Sequence, residues 1–168
     1  MNHSSHYVAM ANYNCWMNQK LYAICAEIPD AKRKEDLGAF FKSIHGTLNH
    51  NLVADLIWMG RFINQPFVTK LDRELYENFD ELKQKREEVD QKILDWAQRL
   101  SLEWLGAPFT YTSISAPNKS NTHSAWLLVT HFFNHQTHHR GQLTTLLSQL
   151  GYDPGVTDLL YMPTLQAP

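Results

Sequence analysis

The chain of 168 residues has the length of one domain, and its content of 43% apolar and 12% aromatic residues suffices for a substantial core. The formal charge is −2 with neutral histidines, and basic residues alternate with acidic ones, as between Lys83 and Glu88. This pattern lacks the basic track that a nucleic-acid backbone requires, and no stretch has the length of a membrane span. Two cysteines, Cys15 and Cys25, are too few for a disulfide framework. We therefore expect a single-domain cytoplasmic protein that binds neither nucleic acid nor membrane.

The first two predicted helices occupy the N-terminal part of the chain. Apolar residues recur from about Ser5 to Ile28 without glycine or proline, and Pro29 then prevents the helix from continuing. The second predicted helix begins after a charged connector, with Asp36 as its cap, and ends near Ile63. Its apolar residues recur at helical spacing: Leu37, Phe40, Phe41, Ile44, Leu48, Leu52, Leu56 and Met59.

The third predicted helix has the clearest pattern, with one face repeating in steps of three and four residues. That face consists of Phe79, Leu82, Arg86, Val89, Ile93, Trp96 and Leu100. A long connection follows, from Leu102 to Asn121, and contains Pro108, Pro117 and an alternating stretch at 109–111. Alternation between prolines predicts a short extended hairpin. Because long connections are seldom without a role, we expect this one to form the wall of a pocket.

The fourth predicted helix begins near Thr122 and ends at Gly151, which suits a left-handed cap. The tail after Asp153 carries a short apolar patch, Leu159 to Met162, which we expect to pack across the other helices. Four amphipathic helices with little strand signal predict an all-α fold, an antiparallel four-helix bundle with a long connection between helices three and four.

The fourth helix carries four histidines within nine residues: His131, His135, His138 and His139. Histidine offers a neutral nitrogen donor at physiological pH, and residues four apart lie one turn above each other on one helix face. On a helical wheel His139 falls inside the apolar arc and His135 directly beside it, whereas His131 and His138 lie toward its edge. The spacing therefore favours His135 and His139 as a pair of metal ligands.

A third ligand has to come from another element, and the second helix offers His45 and His50. These two lie about 140° apart on the wheel, so they cannot face the same way. The main Leu/Phe stripe runs closer to His45, while His50 shares a narrower strip with Val53 and Ile57. Periodicity by itself slightly favours His45 as the third ligand but does not exclude His50.

Two segments resemble the DinB family, which belongs with the YfiT-like metal-dependent hydrolases. They are the phrase from Ser43 to Asp55, with Trp58 and Arg61 following it, and the phrase from Asn134 to Gln142. The resemblance extends over nearly the whole chain. It implies a four-helix bundle, commonly a homodimer, in which one histidine of the second helix and two of the fourth hold a divalent metal.

The same resemblance selects the ligands. The family pattern has an acidic residue five positions after the ligand of the second helix, and Asp55 meets this condition for His50. It therefore implies that His50, His135 and His139 bind the metal. Four neighbours are candidates to orient these ligands by hydrogen bonds. They are Asn49, Asn134, His138 and Gln142.

Three protein ligands leave a divalent ion with an open position, which is typical of catalytic sites. We expect one ion per chain, with zinc or nickel favoured and iron, copper or manganese allowed by the donors. The resemblance implies either a metal-dependent hydrolase or a transferase that activates a low-molecular-weight thiol such as bacillithiol or mycothiol. Asp55 lies on a different side of the helix from His50 and other acidic residues are absent near the cluster, so thiol transfer is favoured over hydrolysis. The alternative is a non-catalytic, metal-binding dimeric stress-response protein.

Overall fold

A computed structural model describes residues 3–114, 116 and 118–165. The described part is mostly helical, as predicted, and includes one small antiparallel sheet. The elements are α1 (His3–Ala26), α2 (Asp30–Arg33), α3 (Ile44–Phe62), α4 (Phe79–Ala97), α5 (Leu102–Gly106), β1 (Pro108–Thr112), β2 (Ser120–Ser124) and α6 (Ala125–Gln149), followed by short 3₁₀ turns at Leu159–Tyr161 and Pro163–Leu165. Within these residues, no helix combines the length and the apolar character needed to cross a membrane.

Helix α3 begins at Ile44, so the prediction that Asp36 caps it was wrong. Ser43 is the cap, and its hydroxyl accepts a hydrogen bond of 2.9 Å from the Gly46 N–H. The Asp36 carboxylate instead accepts from the Gly38 N–H at 3.0 Å, within a turn. Lys42 has a φ of +65°, a conformation that no helix contains, and it closes the turn immediately before the cap.

The face predicted for the third helix is confirmed, because all seven of its residues are buried. Helix α4 is capped by Asn78, whose side chain accepts from the N–H groups of Asp80 and Glu81. It ends at Ala97, three residues before Leu100, which remains buried beyond the helix end.

The long connection contains the hairpin that the alternation predicted. Strand β1 pairs with β2 in antiparallel register, and Thr110 faces Thr122 with their hydroxyl oxygens 2.8 Å apart. The predicted start of the fourth helix at Thr122 was wrong, because this residue belongs to β2 and α6 begins at Ala125. At the other end, Gly151 has a φ of +84°, in keeping with the predicted left-handed cap.

Four long helices enclose the core. Helix α1 packs against α4 and α6, and α3 packs against the same two helices. The tail lies along α1, where the Tyr13 hydroxyl donates to the Thr157 carbonyl at 2.6 Å and the Lys20 ammonium donates to the Val156 carbonyl at 2.6 Å. Of the predicted apolar patch, only Met162 is buried, whereas Leu160 is 78% exposed.

A group of buried polar side chains lies among these four helices. Arg86 of α4 is paired with Asp55 of α3 at 2.6 Å and with Asp90 at 2.9 Å. Asn18 of α1 donates to Asp90, and Gln136 of α6 donates to Asp55 at 2.9 Å. We call this group the central polar network; its members are Asn14, Asn18, Asp55, Arg86, Asp90, Gln136 and Arg140, all buried.

Candidate metal centre

Three histidines converge where α3 and α6 face each other. The Nε2 atom of His139 lies 3.1 Å from Nε2 of His50 and 3.0 Å from Nε2 of His135. Each residue offers a ring nitrogen that lies within 4.8 Å of those of the other two. His135 and His139 reach this position from successive turns of α6, and His50 comes from α3. The group could therefore hold one metal ion.

His45, which periodicity slightly preferred, does not join them. Its side chain is buried, and its Nε2 lies 2.8 Å from the Tyr76 carbonyl and 3.3 Å from a Glu74 carboxylate oxygen. It therefore ties α3 to the segment that leads into α4. Of the two histidines of the second predicted helix, His50 is the one beside His135 and His139.

Hydrogen bonds to the outer ring nitrogens fix the orientation of two of these imidazoles. Nδ1 of His50 lies 2.8 Å from the Leu71 carbonyl oxygen, and Nδ1 of His139 lies 2.8 Å from Oε1 of Gln142. Because both oxygens are acceptors, each Nδ1 carries the proton and each Nε2 presents a lone pair. Two lone pairs thus face each other across 3.1 Å. Such an arrangement is repulsive by itself and becomes favourable when a cation lies between the nitrogens.

The separations also fit an ion of ordinary size. Two nitrogens that each lie 2.0–2.1 Å from one tetrahedral zinc are about 3.3 Å apart. The distances from Nε2 of His139 to Nε2 of His135 and of His50, 3.0 and 3.1 Å, are close to this value. The donor set, three neutral imidazoles with outer-nitrogen partners on two of them, is of the kind that binds first-row divalent metals.

The protonation states favour metal binding as well. Burial, together with the neighbouring His139 and His50, lowers the pKa of His135 to about 3. Burial lowers the pKa of His139 to about 4, although its hydrogen bond to Gln142 acts in the opposite direction. The pKa of His50 is also lowered, chiefly by burial. All three rings are therefore neutral at pH 7, the form that a metal ligand requires.

An aromatic ring covers one side of the cluster. Phe41 stacks on His50 with ring centroids 3.7 Å apart and meets His139 edge-on at 5.6 Å. Its backbone comes so close to α3 that a Cβ at Gly46 would overlap the Phe41 carbonyl oxygen. The glycine thus permits the turn before α3 to bring Phe41 onto the histidines.

The four predicted orienting residues have different surroundings. Gln142 bonds directly to His139, and its amide nitrogen lies 3.3 Å from Nε2 of His138, whose ring is 4.9 Å from that of His139. Asn49 instead binds the backbone of Leu75 and Tyr76. Asn134 is exposed, and no hydrogen bond between described residues ties it to the cluster.

Two contributions from residues 64–78, the connection between α3 and α4, were missed from the sequence. They are the Leu71 carbonyl, which orients His50, and Asp72. Asp72 lines a cavity of about 490 Å³ together with His50 and His139, so an acidic residue far from them in sequence adjoins the same cavity. A backbone carbonyl carries no signature in a sequence, and a single acid in an irregular segment has no periodicity that would reveal it.

A second, smaller cavity of about 210 Å³ lies on the His135 side of the cluster. Its lining includes Trp58, Arg61 and His131, and Tyr111 of the hairpin. The long connection therefore forms a pocket wall, as predicted. Another cavity, of about 560 Å³, lies beside α2 and the start of α4, and its lining among the described residues includes none of the three histidines.

Comparison with known proteins agrees with these observations. The sequence pattern of the DinB family matches residues 1–168. The chain is also similar to Protein DinB of Bacillus subtilis (strain 168), with 30% identity over 153 residues, which covers 87% of each chain. The family match includes both histidine-bearing helices and the segments between them. The chain therefore belongs to the DinB family.

Proposed function

We propose that this protein is a metal-dependent enzyme that acts on a small molecule, by thiol transfer or by hydrolysis. One divalent ion would be held by His50, His135 and His139. The observation that carries the proposal is the convergence of three neutral Nε2 atoms, two of them with lone pairs fixed toward each other at 3.1 Å. A cluster that served only to stabilise the core would be expected to complete its hydrogen bonds internally.

Imidazole ligands suit zinc, nickel, copper or iron, and we favour zinc or nickel. When bound, such an ion acts as a Lewis acid that lowers the pKa of a coordinated water or thiol. The protein supplies the remaining functions. Leu71 and Gln142 hold two rings in place, and Phe41 shields one side of the cluster from water.

Asp72 is the candidate for accepting a proton in the larger cavity. In thiol transfer the sulfur would form a bond to an electrophilic carbon as the bond from that carbon to its leaving group breaks, and the thiol proton would pass to a base. In hydrolysis the water oxygen would form a bond to the carbonyl carbon of an ester or amide, the bond to the alcohol or amine would break, and the proton from water would pass through the base to that leaving group. A carboxylate in the same cavity serves either reaction, so the sequence-based preference for thiol transfer loses part of its basis.

We also infer that the four long helices form an antiparallel four-helix bundle of one domain and that the chain is a homodimer. The pairwise packing of α1 and α3 against α4 and α6 supports the bundle. Trp126 and Leu127, adjacent at the start of α6, are 49% and 42% exposed and could contact a second copy. Light scattering should give twice the chain mass, and Trp126→Glu should reduce it to that of a monomer.

The metal assignment is tested on protein purified without a polyhistidine tag. Elemental analysis should find about one divalent ion per chain, and His50→Ala and His139→Ala should each lose it. His45→Ala and His123→Ala are matched controls, because they remove histidines outside the cluster and should retain the ion. Full retention of metal by both ligand variants would refute the ligand set.

Activity is tested by incubating the metal-loaded protein with cellular thiols and an electrophile, and separately with activated esters and amides. Metal-dependent loss of the thiol or of the ester would support the enzyme, and Asp72→Asn should slow whichever reaction occurs. Stoichiometric metal without turnover or thiol affinity would instead favour the non-catalytic metal-binding protein.

A further inference from the structure

We propose that the substrate carries a carboxylate, which the Arg61 guanidinium binds in the smaller cavity beside His135. We call this cavity the Arg61 cleft; the lining residues that matter are Trp58, Arg61, Tyr111, His131 and His135. That the molecule binds is inferred from the cleft alone. That the bound molecule then reacts rests on the proposed function.

Arg61 is held in place, and no described residue provides it with an acidic partner. Its guanidinium carbon lies 4.6 Å from the Trp58 ring centroid and 4.9 Å from that of Tyr111, and Nη2 donates to the Thr112 carbonyl at 2.9 Å. Among the described residues, no carboxylate lies within ion-pair distance of it. Arg33 and Arg86, by contrast, are both paired with aspartates. Arg61 thus keeps N–H donors available for a ligand in a fixed orientation.

An anion bound to the Arg61 guanidinium would lie beside the candidate metal centre. His135 belongs both to the histidine cluster and to the lining of the cleft. A molecule whose carboxylate is on Arg61 would therefore extend toward His135. The walls also include Ala54 and Ile57, so the body of the molecule should be apolar or flat. A volume of about 210 Å³ admits only a small molecule or one end of a larger one.

A carboxylate fits this site better than a phosphate. A planar guanidinium matches a carboxylate with two parallel hydrogen bonds, and one cation balances one negative charge. Sites for doubly charged phosphates usually add further cations or a helix N-terminus. Arg61 is the one lysine or arginine among the residues that line the cleft.

The two cavities suggest separate places for two reactants. Leu71 lines both of them, with the cleft on the His135 side and the larger cavity on the side of His50 and His139. The carboxylate-bearing molecule would occupy the cleft. The second reactant, a thiol or water, would enter by the larger cavity, where Asp72 lies.

The test uses the full chain with benzoate, benzamide and phenylphosphonate as probes, and calorimetry measures their binding with and without zinc. Benzoate should bind at least about tenfold more tightly than benzamide, which has the same shape without the charge. Arg61→Gln should abolish this preference, and Arg61→Lys should weaken binding but retain it. Arg99→Gln changes an exposed arginine of the same type and should leave the preference intact.

Each outcome separates this inference from the proposed function. If the protein holds zinc but binds benzoate no better than benzamide, the inference is overturned while the metal centre stands. Benzoate binding that requires zinc and is unaffected by Arg61→Gln also overturns it, since the anion is then on the metal. If phenylphosphonate bound more tightly than benzoate, the site would favour a phosphate over a carboxylate, which would refute the proposal. If no zinc binds but the Arg61-dependent preference persists, the proposed function fails and the anion site remains.

Discussion

The central polar network and the histidine cluster share helices α3 and α6, yet their polar groups are paired in different ways. His50 and Asp55 are five residues apart on α3, and His135 and Gln136 are adjacent on α6. In the network, Asp55 receives hydrogen bonds from Arg86 and Gln136. In the cluster, the ring nitrogens of three neutral histidines face one another.

The network comes close to balancing its own charges. It contains two carboxylates, Asp55 and Asp90, and two guanidiniums, Arg86 and Arg140, of which Arg140 donates to Asn14. Burial is the largest influence on both acids and raises the pKa of Asp90 to about 6, against the effect of Arg86. The ion pairs of the network belong to the folding of the chain, although Nε of Arg86, Nε of Arg140 and Oε1 of Gln136 have no hydrogen-bond partner among the described residues. The facing Nε2 atoms of the cluster could instead hold a metal ion. Five predictions test this distinction.

The largest effect is expected from Arg86→Leu, which leaves Asp55 and Asp90 buried without their partner. Breaking a buried ion pair in this way costs about 3–5 kcal/mol, so the free energy of unfolding in urea should fall by that amount. Arg99→Leu, at an exposed position, should change it by less than about 0.5 kcal/mol. A loss below about 1 kcal/mol in Arg86→Leu would show that the network contributes little to stability.

Zinc should stabilise the wild-type protein but contribute nothing after His135→Ala. At a free concentration 100 times the dissociation constant, binding to the folded state adds about 2.7 kcal/mol to the free energy of unfolding. His45→Ala is the matched control. It should lower the metal-free stability, because its hydrogen bond to Tyr76 is lost, yet retain the full zinc increment. An increment that disappeared in His45→Ala would assign that histidine to the metal.

A smaller effect is expected from Gln142→Leu, which removes the hydrogen-bond partner of His139 Nδ1. Loss of such an outer partner typically weakens metal affinity 10- to 100-fold, which competition with a chromogenic chelator can measure. The exposed Gln149 lies on the same helix, and Gln149→Leu should have no effect. Equal affinities in the two variants would mean that Gln142 does not orient the ligand.

The smallest change should be the pH dependence of zinc affinity between pH 7 and 5.5. With ordinary pKa values near 6.5, protonation of three histidines would weaken binding by about 600-fold between pH 7 and 5.5. Because burial lowers the pKa of His135 to about 3 and of His139 to about 4, we expect less than about a tenfold change. A change of about 600-fold would indicate ligands with ordinary pKa values.

The lowered pKa values of His135 and His139 also predict how pH affects the stability of the metal-free protein. Between pH 6.5 and about 4 the unfolded chain takes up protons that the folded cluster does not. Acidification over this range should therefore lower the contribution of these histidines to the free energy of unfolding of the metal-free protein, whereas Asp90, with its pKa raised to about 6, acts in the opposite direction. His135→Ala removes one of these groups and should reduce the slope.

Much of the fold followed from periodicity. The buried face of α4 could be read from steps of three and four residues, because a helix places such residues on one side whatever surrounds it. The hairpin was indicated by alternation between two prolines. The start of α3 was not predictable in this way, since Asp36 and Ser43 are both good caps. The choice depended on the turn at Gly38 and Lys42, which brings Phe41 onto His50.

The candidate site, like the fold, was only partly predictable from the sequence. The sequence by itself determined that His135 and His139 share a face, because their spacing on one helix fixes their relation. It left His45 and His50 open on periodicity, and only the resemblance to the family selected His50. Only the tertiary structure decided that His50 meets the pair on α6, that the Leu71 carbonyl fixes its ring, and that Asp72 and Arg61 lie in the adjoining cavities. These contacts join residues far apart in the chain, and local spacing carries no information about distances that depend on how helices and connections pack together.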